Sequence, residues 1–314
     1  MRVGIDIGGM TIKIGLVNEV YEIVDKKVIP TESDAKTAAQ VAEAMAEAVK
    51  GLLQENGLCE TDCEGLGIAC PGTSDPQEGV VVYSNNIVWE NVPLIALMQK
   101  ELDIPMALAN DADAAALGEV LAGAAAGKDN ALLLTLGTGV GGGVVINKKI
   151  FAGPLRGGCE LGHTVIHMGG RQCTCGRKGC LETYASATAL MQDAREKVAE
   201  YPQSLLSRLC EGQNGKMDGR IIFEAHRQGD DAAIQVVEAY EDALCEGIAN
   251  FINIFRPEVV ILGGGVSAQK EYLTDALQEK VDKMCFGGNL GEVPKITTSV
   301  LGNDAGIIGA AYLT

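Results

Sequence analysis

Basic residues are scarce in this chain. It carries 25 Lys and Arg against 42 Asp and Glu, which gives a formal net charge of −17. Nucleic-acid backbones and anionic membrane surfaces select for clustered Lys and Arg, so this charge argues against both as partners. The sequence also lacks any run of about 18 apolar residues, so we expect no transmembrane helix.

A signal peptide is absent as well. The first ten residues, MRVGIDIGGM, place glycines and an aspartate where a signal peptide has its apolar core. We therefore expect a cytoplasmic protein whose cysteines stay reduced. At 314 residues and 47% hydrophobic composition, the chain is long and apolar enough for about two domains with substantial cores.

Histidine is rare, yet two of the three histidines lie in GHTVIHMGGRQCTCGRKGCLE at 162–182. The same segment holds Cys173, Cys175 and Cys180, whereas the other cysteines are scattered and are expected to be small buried residues. Three cysteines with one histidine form a standard structural zinc set. A redox pair is disfavoured because its usual spacing is Cys-x-x-Cys. A chance cluster in a loop is the third interpretation.

The triplet Gly-Lys-Ser/Thr is also missing, which excludes a Walker-type phosphate loop. Glycine-rich turns occur instead in VGIDIGGMTIKIGLV at 3–17 and LLLTLGTGVGGGVVI at 132–146. In each, an apolar strand runs into the turn and a second strand follows, which predicts two hairpins in two related domains. GTGVGG at 137–142 resembles a dinucleotide fingerprint, but strand-like text follows where that motif requires a helix, so NAD is disfavoured.

The two glycine turns are either simple tight turns or phosphate-binding loops. Glycine lets backbone N–H groups approach phosphate oxygens closely, and the occurrence of two matching copies favours phosphate binding. Asp6, at the edge of the first turn, is a candidate to hold Mg²⁺ through water.

The remaining pattern predicts an α/β protein. Further strands are expected at 65–69, 80–83, 106–109 and 259–262, and helices at 37–55, 231–255 and 303–313, the last capped by Asn303 or Asp304. We expect a smaller N-terminal α/β domain at 1–120, with a C-terminal helix at 302–314 packed back on it. A larger C-terminal α/β domain at 121–301 would carry the cysteine segment.

Several segments resemble motifs of the ROK family of bacterial sugar kinases and repressors, and especially its glucokinase-like members. They are DIGG (6–9), NDADAAALGE (110–119), LGTGVGGG (136–143), GCELGH (158–163), CTCGRKGCLE (173–182) and LGGGV (262–266). The resemblance covers essentially the whole chain, and its most specific part is GCELGH with CTCGRKGCLE. It implies the actin/hexokinase-like ATPase fold, in which two α/β domains close over a cleft.

The resemblance also implies roles for individual residues. Asp111 is the implied catalytic base. The implied sugar contacts are Asn86, Asn110, Asp111, Glu160, His163 and Glu182. The implied nucleotide contacts are Asp6, Gly8, Gly9, Thr11, Lys13, Gly137, Thr138, Gly139, Gly264 and Gly265. A structural Zn²⁺ would be held by His163, Cys173, Cys175 and Cys180, with His163 rather than His167 as the fourth ligand.

Two positions depart from the family pattern. Met10 stands where the family usually has threonine, so a hydroxyl contact to phosphate is lost or is taken over by Thr11. Asp113 stands where the family often has asparagine. A carboxylate there either raises the pKa of Asp111 by repulsion or caps the following helix, and we favour the cap. Trp89, the only tryptophan, is expected to lie in the core rather than to stack on a sugar.

The activity implied by the resemblance is ATP-dependent phosphorylation of a hexose at its 6-hydroxyl, with Mg²⁺ as cofactor and glucose as the favoured substrate. An N-acetylmannosamine or other N-acetylhexosamine kinase, or a fructokinase, is the alternative, because these enzymes share the motifs. A sugar-responsive repressor is disfavoured, because the first loop starts at residue 6 and leaves no room for a DNA-binding domain ahead of it. Members of the family are often homodimers or homotetramers, and the sequence leaves the oligomeric state open.

Overall fold

The structure is a computed structural model, and it describes residues 1–154, 157–291 and 293–314. The described residues form two compact units. The first unit comprises Met1–Leu133, Gly142–Cys159 and Ser299–Thr314, and the second comprises Leu134–Gly141 and Glu160–Thr298. The predicted division into domains at 1–120 and 121–301 stays a prediction.

Strands and helices alternate along the chain, which confirms the predicted α/β class. The strands are β1 (Arg2–Ile7), β2 (Thr11–Val17), β3 (Ile23–Pro30), β4 (Gly65–Cys70), β5 (Thr73–Asp75), β6 (Val80–Ser84), β7 (Trp89–Val92), β8 (Met106–Asn110), β9 (Ala131–Leu136), β10 (Val140–Ile146), β11 (Lys149–Ile150), β12 (Val259–Gly263) and β13 (Lys295–Thr298). The helices are α1 (Ala38–Glu55), α2 (Leu94–Met98), α3 (Asp111–Leu121), α4 (Glu182–Ala185), α5 (Ala187–Glu200), α6 (Leu205–Gly212), α7 (Gly219–Arg227), α8 (Asp231–Phe255), α9 (Glu271–Met284) and α10 (Ala305–Ala311). Every predicted strand and helix is present, with bounds that differ by about three residues at most.

The first unit is built on a five-stranded sheet with the order β3-β2-β1-β4-β8. β1 and β2 form the predicted antiparallel hairpin, whereas β4 pairs parallel with both β1 and β8. In this register Asp6 lies opposite Ala69, and Cys70 lies opposite Asn110. The carboxyl ends of β1, β4 and β8 therefore meet at one edge, which is where ligands bind in parallel α/β sheets.

Helix α1 covers the core of the first unit. It begins after Thr37, whose side chain accepts the Gln40 N–H while the Gln40 side chain bonds back to the Thr37 backbone. The buried face of α1 contains the predicted stripe of Val41, Met45, Val49 and Leu52. Trp89 belongs to the same hydrophobic cluster and is 5% exposed, which confirms its predicted place in the core.

Helix α10 packs against β1, β4 and α3 within the first unit. A Cβ atom on Gly67 of β4 would collide with the Ala310 carbonyl oxygen, so glycine is required for this close approach. The predicted cap of α10 is confirmed in its position but not in its hydrogen bond. Asp304 occupies the N-cap position, but its side chain makes no capping hydrogen bond and instead pairs with Lys26 at 3.0 Å.

A second five-stranded sheet has the order β11-β10-β9-β12-β13. Its predicted hairpin strands β9 and β10 are neighbours, β10 is antiparallel to β11, and β12 is parallel to β13. This order repeats that of the first sheet, in which three hairpin strands are followed by two strands that pair in parallel. The repeated order supports the predicted relation between the two halves. A three-stranded antiparallel sheet, β5-β6-β7, adds to the first unit.

The other cysteines follow the prediction in part. Those buried as expected are Cys63, Cys70, Cys210, Cys245 and Cys285. Cys59 is exposed and Cys159 is half-buried, so the prediction is wrong for these two. Among residues 1–154, 157–291 and 293–314, no helix has the length and apolar character needed to cross a bilayer.

Candidate active site

The junction of β8 and α3 places Asn110 and Asp111 at the carboxyl edge of the first sheet. Asn110 is the N-cap of α3, and its Oδ1 accepts the N–H groups of Ala112 at 2.8 Å and Asp113 at 3.3 Å. Its Nδ2 donates to the Gly72 carbonyl oxygen at 3.0 Å. Asn110 thus fixes both the start of α3 and the loop that follows β4.

The predicted capping role of Asp113 is wrong. Helix α3 begins at Asp111, and Asp113 lies inside its first turn, where it is 3% exposed. An acidic side chain in the first turn still interacts favourably with the helix dipole, which explains why the position resembles a cap in the sequence.

The pKa of Asp111 is shifted by its surroundings at this edge. Burial raises the pKa of Asp111, the hydrogen bond from the Ala112 N–H lowers it, and the negative charge of Asp6 raises it further. The carboxyl Oδ1 accepts that N–H at 2.9 Å. Because a carboxyl group with a raised pKa accepts a proton more readily, Asp111 has the character of a general base.

The first glycine loop joins β1 to β2 through Gly8 and Gly9. The Gly8 N–H donates to the Thr11 carbonyl oxygen at 2.9 Å. Asp6 lies opposite Lys13 on β2, and their side chains form an ion pair of 3.1 Å. Lys13, a predicted nucleotide contact, is therefore held beside Asp6 at the carboxyl edge.

Asn86 lies in the turn between β6 and β7, where it is exposed. A Cβ atom built on Gly9 would be 3.3 Å from the Asn86 carbonyl oxygen, so this turn adjoins the first loop. The predicted site residues in the first unit are Asp6, Gly8, Gly9, Thr11, Lys13, Asn86, Asn110 and Asp111. They lie on the carboxyl edge of the sheet and on the turns next to it.

The second glycine loop, residues 137–139, lies in the second unit between β9 and β10. The Gly137 N–H closes the turn on the Gly139 carbonyl oxygen at 3.0 Å. Glu182, at the start of α4, accepts the Val140 N–H on its Oε2 at 3.1 Å. A Cβ atom on Gly139 would collide with that same oxygen, so a larger residue here would displace the Glu182 carboxylate. Glu182, predicted as a sugar contact, therefore also holds the second loop.

The third glycine loop follows β12 in the same unit. Gly264 lies against the Leu136 carbonyl oxygen at the end of β9, and its own carbonyl accepts the Ser267 hydroxyl at 2.8 Å. Gly264 and Gly265 therefore lie beside the strand that leads into the second loop.

His163, Cys173, Cys175 and Cys180 form one cluster in the second unit, with their ligand atoms all within 4.8 Å of one another. Cys173 Sγ lies 3.5 Å from His163 Nδ1, and Cys175 Sγ lies 3.7 Å from Cys180 Sγ. Tetrahedral zinc, with bonds of roughly 2.3 Å to sulfur and 2.0 Å to nitrogen, requires S–S separations of about 3.8 Å and S–N separations of about 3.5 Å. The donor set and its spacing therefore fit a structural zinc ion.

The cysteine segment is shaped by its own backbone. Isolated bridges pair Val165 with Cys180 and Gln172 with Lys178, so the chain folds back on itself. The backbone N–H of Arg177 lowers the pKa of Cys175, whereas burial raises the pKa of Cys180 to about 12. Because zinc binds thiolates, metal binding would release the Cys180 proton.

His167 does not belong to the cluster. It lies in a bend, and its ring stacks on that of Tyr184 with centroids 6.0 Å apart. The expectation that His163 is the fourth ligand thus agrees with the grouping of donor atoms. With Nδ1 facing the cysteines, His163 keeps Nε2 for another partner.

Glu160 and Glu182 are both attached to this cluster. Glu160 is exposed and precedes the 3-10 helix Leu161–His163, and its carbonyl oxygen accepts the His163 N–H at 3.1 Å. Glu182 Oε1 lies 3.8 Å from Cys173 Sγ. Of the three predicted sugar contacts of the second unit, His163 belongs to the cluster, and Glu160 and Glu182 contact its members.

Two features of the site carry no sequence signal. The charge that acts on Asp111 is that of Asp6, more than 100 residues earlier, and only the parallel pairing of β1, β4 and β8 brings it near. The contact of Glu182 with Val140 likewise joins segments 42 residues apart. An alignment of related sequences could have shown such pairs, whereas a single sequence does not.

A sequence model described as the ROK family matches residues 2–314. The chain belongs to the ROK family. The glucokinase of Thermotoga maritima is 39% identical, over 99% of this chain and 96% of its own length. The ROK family glucokinase of Streptomyces griseus, solved in complex with glucose and AMPPNP, is 32% identical with a TM-score of 0.79, over 100% of this chain and 98% of that one. The ROK hexokinase of Thermus thermophilus is 34% identical with a TM-score of 0.83, over 100% of this chain and 97% of that one.

The ROK match confirms the resemblance inferred from the motifs, and it covers segments of both units. The likeness to the solved ROK enzymes also confirms the actin/hexokinase type of fold.

Proposed function

We propose that this ROK family protein is an ATP-dependent hexose kinase that transfers the γ-phosphoryl group of ATP to the 6-hydroxyl of glucose. The observation that carries the proposal is the Asp111 carboxyl group, whose pKa is raised at the carboxyl edge of the first sheet. The 39% identity to the Thermotoga maritima glucokinase supports glucose as the substrate. The Streptomyces griseus relative, solved with glucose and AMPPNP, supports the pairing of a sugar with ATP.

In this mechanism Asp111 accepts the proton of the sugar 6-hydroxyl as that oxygen attacks the γ-phosphorus. The bond between the γ-phosphorus and the β–γ bridging oxygen breaks, and ADP leaves with the electron pair. The proton on Asp111 then passes to solvent. Asn110 acts on this step through the backbone, because its cap fixes the first turn of α3 on which Asp111 stands.

The glycine loops are proposed to bind the nucleotide. The N–H groups of Gly9 and Gly139, with the hydroxyls of Thr11 and Thr138, suit phosphate oxygens, while the Gly8 and Gly137 N–H groups close their own turns. Gly264 and Gly265 would lie on the adenosine side. Mg²⁺, when bound, neutralises charge that develops on the phosphates. The Asp6 carboxylate offers the oxygen donors that Mg²⁺ prefers, and Lys13 adds a positive charge beside it.

The sugar is proposed to bind through Asn86, Asn110, Glu160, His163 and Glu182. Carboxylate oxygens accept hydrogen bonds from sugar hydroxyls, and among the described residues Asn110 commits one of its two amide hydrogens, to Gly72. A structural Zn²⁺ on His163 Nδ1 would fix the imidazole so that its Nε2 carries a proton. The metal would thus orient His163 for the sugar without taking part in the transfer.

An assay of ADP release over several sugars tests this proposal. The panel is glucose, mannose, fructose, allose, N-acetylglucosamine and N-acetylmannosamine, and we expect the highest kcat/KM for glucose. A site whose polar side chains each bond a sugar hydroxyl discriminates against sugars that leave those side chains unpaired. A preference for an N-acetyl sugar by more than about tenfold, or ~1.4 kcal/mol, would replace glucose as the substrate and keep the kinase mechanism.

We also propose that the enzyme is a cytoplasmic homodimer or homotetramer that binds neither nucleic acid nor membranes. The net charge of −17 supports the last part, because it opposes association with polyanionic partners. Sedimentation of the purified protein would report a monomer if the proposed assembly is wrong.

A further inference from the structure

Thr31, which follows β3, contacts the first glycine loop through both its side chain and its backbone. Its hydroxyl donates to the Gly8 carbonyl oxygen at 2.7 Å, and its N–H donates to the Met10 carbonyl oxygen at 3.0 Å. Thr31 is 0% exposed, whereas Met10 is 86% exposed and has no hydrogen-bonding side-chain atom of the ordinary kind. Thr31 therefore anchors the loop through hydrogen bonds, whereas the Met10 side chain does not.

The hydroxyl of Thr31 changes how the hairpin turn closes. In a turn over residues 8–11, the Thr11 N–H would commonly bond back to the Gly8 carbonyl oxygen. Within the described residues only the reverse bond is made, from the Gly8 N–H to the Thr11 carbonyl oxygen, and the Gly8 carbonyl oxygen accepts the Thr31 hydroxyl. Thr31 therefore keeps the turn open on that side.

These two contacts also set the direction of loop N–H groups. In a trans peptide the carbonyl of one residue and the N–H of the next point in opposite directions, and the described chain has no cis peptide bonds. With the Gly8 and Met10 carbonyls turned toward Thr31, the N–H groups of Gly9 and Thr11 point away from it. Two N–H groups directed to the same side of a glycine turn make a concavity that suits a phosphate oxygen.

We propose that Thr31 is a positioning residue for phosphate binding: its hydroxyl and N–H orient the first glycine loop, and this orientation sets the affinity for the nucleotide. The proposal rests on the proposed function, since it takes the phosphate chain of ATP as the ligand of this loop. Thr31 itself touches neither phosphate nor sugar in this scheme, and it acts through Gly8 and Met10.

The test compares Thr31→Val, which removes the hydroxyl at similar shape, with Thr31→Ser, which keeps it. Thr274→Val is the matched control, because Thr274 is a buried threonine of α9 in the second unit, 6% exposed. The probe is the magnesium complex of a non-hydrolysable ATP analogue, and its Kd is measured by calorimetry without sugar. Thermal unfolding midpoints of all the variants report any general loss of stability.

We expect Thr31→Val to raise the Kd for the analogue about tenfold. Thr31→Ser should keep a Kd near that of the wild type. Thr274→Val should leave the Kd unchanged even if its thermal unfolding midpoint falls. An unchanged Kd in Thr31→Val, or an equal rise in Thr274→Val at a similar loss of midpoint, would overturn the proposal. Should the valine variant not fold, Thr31→Cys replaces the hydroxyl with a weaker donor, and the same rise is expected. If the wild-type protein itself fails to bind the analogue, the proposed function is wrong, and that result is distinct from any effect of Thr31.

Discussion

Replacing Asp111 with asparagine is expected to lower kcat by about 10²–10⁴-fold, the usual contribution of a general base. The change keeps the size of the side chain and removes its capacity to accept the proton of the 6-hydroxyl. Sugar and ATP should still bind, so their Kd values by calorimetry should change little. Steady-state ADP release measures kcat. Asp25→Asn is the control, because Asp25 is an aspartate of the same unit whose carboxylate bonds Asn56 at 2.9 Å, and its kcat should stay near wild type.

Because the pKa of Asp111 is raised, Asp111→Asn is expected to lower activity without lowering stability. Burial and the charge of Asp6 raise the pKa of Asp111 above its ordinary value of about 3.9. Between the ordinary and the raised pKa the folded chain binds more protons than the unfolded chain, so the free energy of unfolding falls as pH rises through that window. Above the raised pKa the ionised Asp111 thus lowers stability, and at such a pH Asp111→Asn should melt at or above the wild-type temperature.

The raised pKa of Asp111 also determines the direction in which kcat/KM changes with pH. Asp111 must be deprotonated to act as a base, so kcat/KM should fall as pH falls through the raised pKa of Asp111. A variant Asp111→Ala that turns over glucose at near wild-type rate would contradict the assignment. So would an Asp111→Asn variant that loses activity and melting temperature together, since that pattern indicates general damage to α3.

Cys175→Ser is expected to abolish metal binding and to weaken sugar affinity. The wild-type protein should contain about one zinc per chain by elemental analysis, because the four ligand atoms match a tetrahedral Cys3His site. Loss of the ion would release His163, whose Nδ1 lies 3.5 Å from Cys173 Sγ, and Glu182, whose Oε1 lies 3.8 Å from the same sulfur. The Kd for glucose, measured by calorimetry, should therefore rise about tenfold or more.

Cys59→Ser is the matched control for the zinc prediction. Cys59 is exposed and lies in the first unit, outside the cluster. Its serine variant should keep the metal, the melting temperature and the sugar affinity. The proposed coupling between metal and sugar would fail if Cys175→Ser lost its zinc and still bound glucose as tightly as the wild type.

Local patterns predicted much of the fold. The alternation of apolar residues around Gly8 and Gly9 predicted the hairpin of β1 and β2, because side-chain period and glycine turns are encoded within a few neighbouring residues. The edge strand β3 was not predicted. Its residues alternate between half-buried and exposed, so its apolar face is weak.

Details that depend on tertiary packing were harder to predict. Asp113 was expected to cap α3, but the cap is Asn110, and the sequence NDAD offers three residues of similar capping preference within four positions. Pairing of β4 with β8 decides which of them ends the strand. The grouping of donor atoms in the cysteine segment was predictable because all four ligands lie within 18 residues.

Long-range contacts in the candidate site lay beyond sequence reasoning. Thr31 reaches Gly8 only because β3 pairs with β2 in a register that sets Pro30 against Thr11. Glu182 reaches Val140 because the chain returns from the cysteine segment to the second glycine loop. Glutamate is favoured at the start of a helix for local reasons, so Glu182 does not stand out in the sequence.

The most direct test of the central claim follows the oxygen atom of the sugar. Glucose labelled with ¹⁸O at the 6-hydroxyl is incubated with the purified 314-residue chain and magnesium ATP, and the products are analysed by mass spectrometry. One labelled glucose 6-phosphate is expected for each ADP, with the label retained, because the sugar oxygen attacks the γ-phosphorus and its bond to carbon stays intact. Formation of ADP and free phosphate without a labelled sugar phosphate would contradict it.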